Sequence, residues 1–330
     1  MRDCSPLLGK YKNIFIFNLQ MVPAAFLYKI HRHKTQNMKQ VFESVKYIAF
    51  DADDTLWVNE PYFRVAEKEY CTLLERFATR EEIISTLYEI EMKNLAPYGY
   101  GAKAFTLSLM ETAILFSNKR SSGEFFPDSI SPNLHSEQQT TYSNKASENI
   151  LPHSFPTNLH SEQQAPYGSA SCKEAIAPLT PAEMSRIIEI GTSLIRIPIE
   201  ILPGVEELLK ELSGSGKYTL VVATKGDLLD QERKLRRSGL WNCFHHIEVM
   251  SDKNEEAYTR LLERLGCSKE EFLMIGNSMK SDILPVLNIG GNAIYIPFYS
   301  TWEHEKVEGE ITHPNLYETD SCSKLLEMIK

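Results

Sequence analysis

From Leu202 onward, short apolar runs alternate with amphipathic stretches, and this alternation sets the architecture the chain predicts. Gly204 to Leu212 reads as a helix, Tyr218 to Thr224 as a strand and Leu228 to Ser238 as a helix. Strand His246 to Ser251, helix Glu255 to Leu265, strand Phe272 to Gly276, helix Asp282 to Leu287 and strand Ala293 to Pro297 follow. Strands separated by helices imply right-handed crossovers and a parallel sheet. Far upstream, Tyr47 to Phe50 is a continuous apolar run of the kind buried on both faces of such a sheet. Between the two regions, Pro61 to Phe116 shows apolar residues at helical spacing. Thr180-Pro181-Ala182-Glu183 carries an N-cap, a first-turn proline and a glutamate three residues on, so a helix starts there. The expected organisation is an α/β parallel-sheet core from residues 45–59 and 199–330, with a helical cap, 60–198, inserted after the first strand.

Two segments break this pattern. Ser117 to Pro178 is rich in Ser, Asn, Gln and Pro, and it repeats Asn-Leu-His-Ser-Glu-Gln-Gln at Asn133 to Gln139 and Asn158 to Gln164. A stretch of that length and composition reads as an insert without a packed core, and two copies are too few for a solenoid. Residues 1–44 read as a dispensable extension, with Met38 a sensible alternative start. Its apolar patch, Ile14 to Tyr28, is interrupted by Asn18, Gln20 and Pro23 and has no cleavage site of the small-residue kind, so neither a signal nor a stable membrane association is expected.

At 330 residues and 42% hydrophobic the chain can bury a substantial core. Its net charge of -9 argues against nucleic acid as the main partner. The six cysteines show no CxxC spacing, which indicates neither a zinc site nor a disulfide framework and fits free thiols in the cytoplasm. Nothing in the composition fixes an oligomeric state.

The chemistry gathers where the first strand ends. Tyr47-Ile48-Ala49-Phe50 runs straight into Asp51-Ala52-Asp53-Asp54-Thr55, and residues two apart on a strand end share a side. Open α/β sheets bind ligands at that edge. Two carboxylates this close imply a bound cation or a raised pKa, and magnesium, a hard ion that takes oxygen ligands, is the natural candidate.

The DxDxT of Asp51 to Thr55 resembles the signature of the haloacid dehalogenase-like phosphohydrolase superfamily, and three later motifs fall in that family's order. They are Thr224 after an apolar strand, Lys253 in Ser251-Asp252-Lys253-Asn254, and Gly276-Asn277-Ser278-Met279-Lys280-Ser281-Asp282. The resemblance covers Val45 to about Pro297, less the insert, and implies a Rossmann-like core. It implies Asp51 as nucleophile toward a phosphoryl group and Asp53 as general acid and base. It also implies Thr224 and Lys253, with Lys225 a rival, as phosphate binders, and Asp51, Asp53 (through its main-chain carbonyl) and Asp282 as magnesium ligands. Dehalogenases of the superfamily lack an acid at position 53, so Asp53 favours phosphate esters. Asn277 departs from the usual acid at that place, acting beside the metal rather than as a charged ligand, and weaker metal binding is expected. Trp57, Asn59 and Glu60, with Tyr62, Tyr98, Tyr100 and Lys103 further on, are candidates for reading the leaving group. His304, in the aromatic and acidic run after the last strand, is expected in a solvated loop rather than on the substrate. The implied function is a magnesium-dependent phosphatase of a small phosphorylated metabolite. A phosphotransferase or mutase would use the same residues, and a non-catalytic binding protein on the same fold remains a third reading.

Overall fold

The computed structural model describes residues 39–121, 176–309 and 311–330. The extension before residue 39 and the repeats of the insert lie outside the described residues. After a helical lead-in at 39–44, the elements are β1 (Tyr47–Phe50), α1 (Glu60–Leu74), α2 (Arg80–Tyr98), α3 (Ala102–Ser121), α4 (Pro181–Ser193) and α5 (Val205–Gly214). Then come β2 (Thr219–Lys225), α6 (Leu228–Arg237), β3 (His246–Met250), α7 (Glu255–Leu265), β4 (Phe272–Gly276), α8 (Leu284–Asn288), β5 (Asn292–Tyr295), β6 (Leu316–Glu318) and α9 (Cys322–Ile329).

Among the described residues six strands form one parallel sheet, in the order β3-β2-β1-β4-β5-β6. The strand alternation sorts side chains into two cores. Ile48, Phe50, Leu220, Val222, Leu273 and Ile275 point to one face, where α5 and α9 cover them with Leu208, Leu212 and Leu325. Ala49, Val221, Ala223, Phe272 and Met274 point to the other, under Tyr258 and Leu261 of α7. Burial on both faces explains why these strands are continuous apolar runs. Strand order reverses at β1, which pairs with β2 on one side and β4 on the other. Such a switch point opens a crevice at the carboxyl edge, and Asp51 stands in it.

The helices α1 to α4 pack around a separate core that includes Tyr70, Leu74, Phe105, Leu109, Phe116, Ile187 and Ile190. Capping boxes at Thr79 and Thr180 start α2 and α4, the second as the sequence requires. Gly191 of α4 lets α3 approach closely, since a Cβ there would lie 2.2 Å from Thr106 Oγ1. The two connections to the cap run side by side. Val58 donates to the Glu200 carbonyl at 2.9 Å and Leu202 to that of Leu56 at 2.9 Å.

Three expectations are corrected. The insert does not begin at Ser117: α3 continues to Ser121, and the buried Ser117 hydroxyl accepts from Leu179 N at 3.0 Å, tying the two sides of the insert together. The helix expected from Asp282 opens instead with a π turn over Met279–Ile283, and Asp282 and Ile283 both donate to the Ser278 carbonyl. Gly276 makes room for this wider turn, because a Cβ there would meet Asp282 Oδ2 at 2.3 Å. Beyond Pro297, where the apolar pattern predicts no further element although the core is expected to run to 330, β6 and the Ser321-capped helix α9 complete the sheet and its cover.

Candidate active site

The carboxyl ends of β1, β2 and β4, the turn after β3 and the underside of the cap enclose a cavity of about 200 Å³. Asp51, Asp53, Asn59, Glu60, Thr224, Lys225, Lys253, Asn277 and Asp282 all line it, so residues far apart in sequence meet as their motifs implied.

At its floor the Lys253 ammonium, 2% exposed, lies 2.5 Å from Asp51 Oδ1 and 2.5 Å from Asp282 Oδ1. Burial pushes the Asp51 carboxyl up, to about 7, and the neighbouring Asp282 charge adds to this, while Lys253 pulls it down. Burial acts against the Lys253 charge too, but the two carboxylates outweigh it and raise its pKa. Asp282 is held from behind by Ser278 N at 2.9 Å.

The amide of Asn277 lies 3.0 Å from Thr55 Oγ1, 3.2 Å from Asp51 Oδ2 and 3.3 Å from the Asp53 carbonyl oxygen. With its nitrogen in that place the amide donates to all three. With its oxygen there, oxygens of Asn277, Asp51 and Asp53 converge, an arrangement that a hard cation relieves. Among the described residues, no group of three or more His, Cys, Asp or Glu side chains could hold a metal by itself. The donor set is mixed: two carboxylates, one main-chain carbonyl and one amide. With the amide oxygen turned inward the set is all oxygen, which fits magnesium.

Asp53 faces other partners. Its Oδ1 accepts from Trp57 Nε1 at 2.7 Å and its Oδ2 from Gln231 Nε2 at 2.8 Å, and Lys234 Nζ reaches both oxygens at 3.1 and 3.2 Å. Asp54, the third acid of the run, has φ 62° and accepts from Asn59 N and Glu60 N, capping the start of α1. Burial pushes its carboxyl up to about 8, against those hydrogen bonds.

Thr224 is buried at the end of β2, beside the turn through Gly226, whose φ of 130° suits glycine. Lys225 is tied to Ser281 at 2.8 Å and Glu305 at 2.5 Å, and its ammonium lies 4.1 Å from the Tyr100 ring centroid. Burial opposes ionisation of Glu305, but the Lys225 charge and hydrogen bonds from Lys225, Ser278 and Ser281 lower its pKa to about 2.

On the cap side, Glu60 and Glu67 share Arg64, while Glu91, Asn94, Ser108 and Trp302 continue the lining. Burial pushes Glu60 up to about 7 and Glu91 to about 8. Of the leaving-group candidates, Asn59, Glu60 and Tyr100 line the cavity. Trp57 does not: it is fully buried in the sheet core with its N–H on Asp53. Tyr62 hydrogen-bonds Glu200, Tyr98 is exposed, and Lys103 pairs with Asp227 at 2.9 Å. His304 packs on Tyr100 and Trp302 and meets Lys280, outside the cavity lining.

Sequence reasoning missed Gln231, Lys234 and Glu305. A signal existed for the first two. Asp230, Gln231 and Lys234 share the buried face of α6 with Leu235, and a polar stripe on a buried face needs partners inside.

The family model described as haloacid dehalogenase-like hydrolase matches residues 159–290, a span that holds Thr224, Lys253, Asn277 and Asp282 but not Asp51. A glyceraldehyde 3-phosphate phosphatase of Methanothermobacter thermautotrophicus is 31% identical over 133 residues, 38% of this chain and 58% of that protein. This chain thus spans less than two thirds of that relative's length. A crystal structure of a haloacid dehalogenase-like family hydrolase from Xanthomonas campestris superposes with a TM-score of 0.61 at 29% identity, covering 87% of this chain and 91% of its own.

Proposed function

This chain belongs to the haloacid dehalogenase-like hydrolases, and on that premise we propose that it is a magnesium-dependent phosphatase of a small phosphorylated metabolite in the cytoplasm. The observation that carries the reading is Asp51, standing at the sheet's switch point in the cavity beneath the cap and bridged by Lys253 to Asp282.

In this reading an Asp51 carboxylate oxygen attacks phosphorus in line, the ester P–O bond breaks, and the departing oxygen takes a proton from Asp53. Water then enters and gives a proton back to Asp53 as its oxygen attacks phosphorus. That releases inorganic phosphate and restores the Asp51 carboxylate. Lys253 offsets the charge of nucleophile and phosphoryl group, and the Thr224 hydroxyl with the N–H groups of the following turn holds the phosphoryl oxygens. Asp51, Asp282, the Asp53 carbonyl and the Asn277 amide oxygen would hold magnesium, which supplies further charge neutralisation when bound.

The cap side supports a substrate class. Glu60, Glu91, Asn94 and Ser108 offer hydrogen-bonding groups to a polar leaving group. A cavity of about 200 Å³ suits a leaving group of a few carbons that carries hydroxyl or ammonium donors. Glyceraldehyde 3-phosphate, named for the archaeal relative, is a small phosphate ester of this size.

The test is release of free phosphate from a panel of phosphorylated sugars, amino alcohols, nucleotides and carboxylic acids, with and without magnesium. Magnesium-stimulated release that disappears in Asp51→Asn supports the reading. Phosphoryl transfer without free phosphate would make the chain a phosphotransferase, and turnover retained in Asp51→Asn would overturn the reading.

A further inference from the structure

Among the described lysines, Lys234 is unusual in being buried, at 6% side-chain exposure, on a helix that covers the sheet. A buried ammonium is costly unless every donor finds an acceptor, so its partners indicate what it is for. They are three. Lys234 Nζ reaches both oxygens of Asp53, donates to Asn59 Oδ1 at 2.9 Å, and lies 3.6 Å from Asp230 Oδ2 one turn back on α6. Asn59 is the residue from which the chain leaves the core for α1, and its main-chain N–H is gripped by Asp54. One ammonium therefore touches both the entrance to the cap and the carboxylate at position 53.

Gln231, three residues before Lys234 and on the same face of α6, completes the link. Its Nε2 donates to Asp53 Oδ2 and to the Lys225 carbonyl, both at 2.8 Å, so it joins Asp53 to the turn beside Thr224. Gly226 leaves space for this, since a Cβ there would lie 3.0 Å from that nitrogen. Trp57 Nε1 holds the other oxygen from the core side. Three donors, from Trp57, Gln231 and Lys234, fix one rotamer of Asp53, and the Lys234 ammonium also holds the Asn59 side chain at the start of the cap.

We propose that Lys234 is a positioning residue that couples the cap's hinge at Asn59 to the orientation of Asp53. The proposal rests on the reading of Asp53 as the group that handles the proton. Displacement of Asn59 as the cap opens would then release or turn Asp53, and the proton-handling carboxylate would be aligned only when the cap is shut. A misplacement of about 1 Å costs on the order of 100-fold in rate, so the link need move Asp53 very little to matter.

The experiment compares Lys234→Met, Asn59→Ala and the double variant, using the best substrate from the panel with magnesium. Lys234→Met should lower kcat roughly 10- to 100-fold and leave KM within about twofold. Asn59→Ala, which keeps the ammonium and removes its hinge acceptor, should lower kcat by a smaller factor. That factor should shrink toward one in the Lys234→Met background, because both changes break the same link. Beryllium fluoride bound at Asp51, read by fluorine NMR, should persist in every variant, separating a lost link from a lost fold. Wild-type kcat in Lys234→Met, or an undiminished Asn59→Ala effect in the double variant, overturns the proposal. If Lys234→Met does not fold, Asn59→Ala alone decides, and an unchanged kcat there overturns the proposal equally. Failure of the underlying reading looks different: Asp53→Asn would keep the wild-type kcat, and the coupling proposal would fall with it.

Discussion

Lys253 Nζ lies 2.5 Å from Asp51 Oδ1 in a site where the lysine is 2% exposed. The ammonium that would steady a phosphoryl group is also what allows Asp51 and Asp282 to stand side by side. Lys253→Met removes it and leaves two buried carboxylates without an internal counter-charge. A loss of kcat of roughly 100-fold or more is expected, together with a melting temperature that rises more on adding magnesium than it does for the wild type. Steady-state kinetics and a magnesium titration followed by differential scanning fluorimetry check both.

Asn277 sets the charge of the same site. Asn277→Asp adds a carboxylate beside Asp51 Oδ2 and the Asp53 carbonyl, so magnesium binding should tighten by about tenfold, roughly 1.4 kcal/mol. Isothermal titration calorimetry reads this without any substrate. The metal-free variant should also be less stable than wild type, because the new carboxylate cannot donate to Asp51 as an amide nitrogen can.

Asp54 anchors the cap rather than the phosphate. Its left-handed φ of 62° is one that Asp and Asn tolerate better than most residues, and its side chain receives the first N–H groups of α1. Asp54→Ala should cost about 2 kcal/mol in urea unfolding, and Asp54→Asn about half as much, since Asn keeps the backbone preference and one acceptor.

Glu305 links pH to stability. Its folded-state pKa, about 2, lies below the ordinary glutamate value of 4.5, so its stabilisation is present above about pH 4.5 and is lost as pH falls through about 2. The shift corresponds to something on the order of 3 kcal/mol. Urea midpoints measured between pH 2 and 5 should therefore fall less steeply in Glu305→Gln than in the wild type. The variant should also loosen Lys225, Ser278 and Ser281, which Glu305 gathers.

Much of this molecule is written locally. The strand Phe272–Gly276 and the helix Glu255–Leu265 fall where apolar period and capping place them, because period and cap chemistry act over a few residues. The capping box at Thr180 is local in the same sense. Residue types at strand ends likewise marked Asp51, Thr224, Lys253 and Asp282, since a parallel sheet delivers its carboxyl edges to one place whatever the details of packing.

What tertiary structure alone decided is which partner each charged group takes. Asp53 and Asp54 are neighbours in a run of acids, yet one is held by Gln231 and Lys234, about 180 residues on, and the other caps a helix five residues away. Trp57 could have faced the substrate and instead fills the core, and Glu305 reaches Lys225 from a loop after the last strand of the sequence pattern. Hydrophobic period determines which way a side chain points, because it follows from backbone geometry. The choice among polar partners depends on which desolvated groups meet across the crevice, and that is settled only when distant segments are packed together.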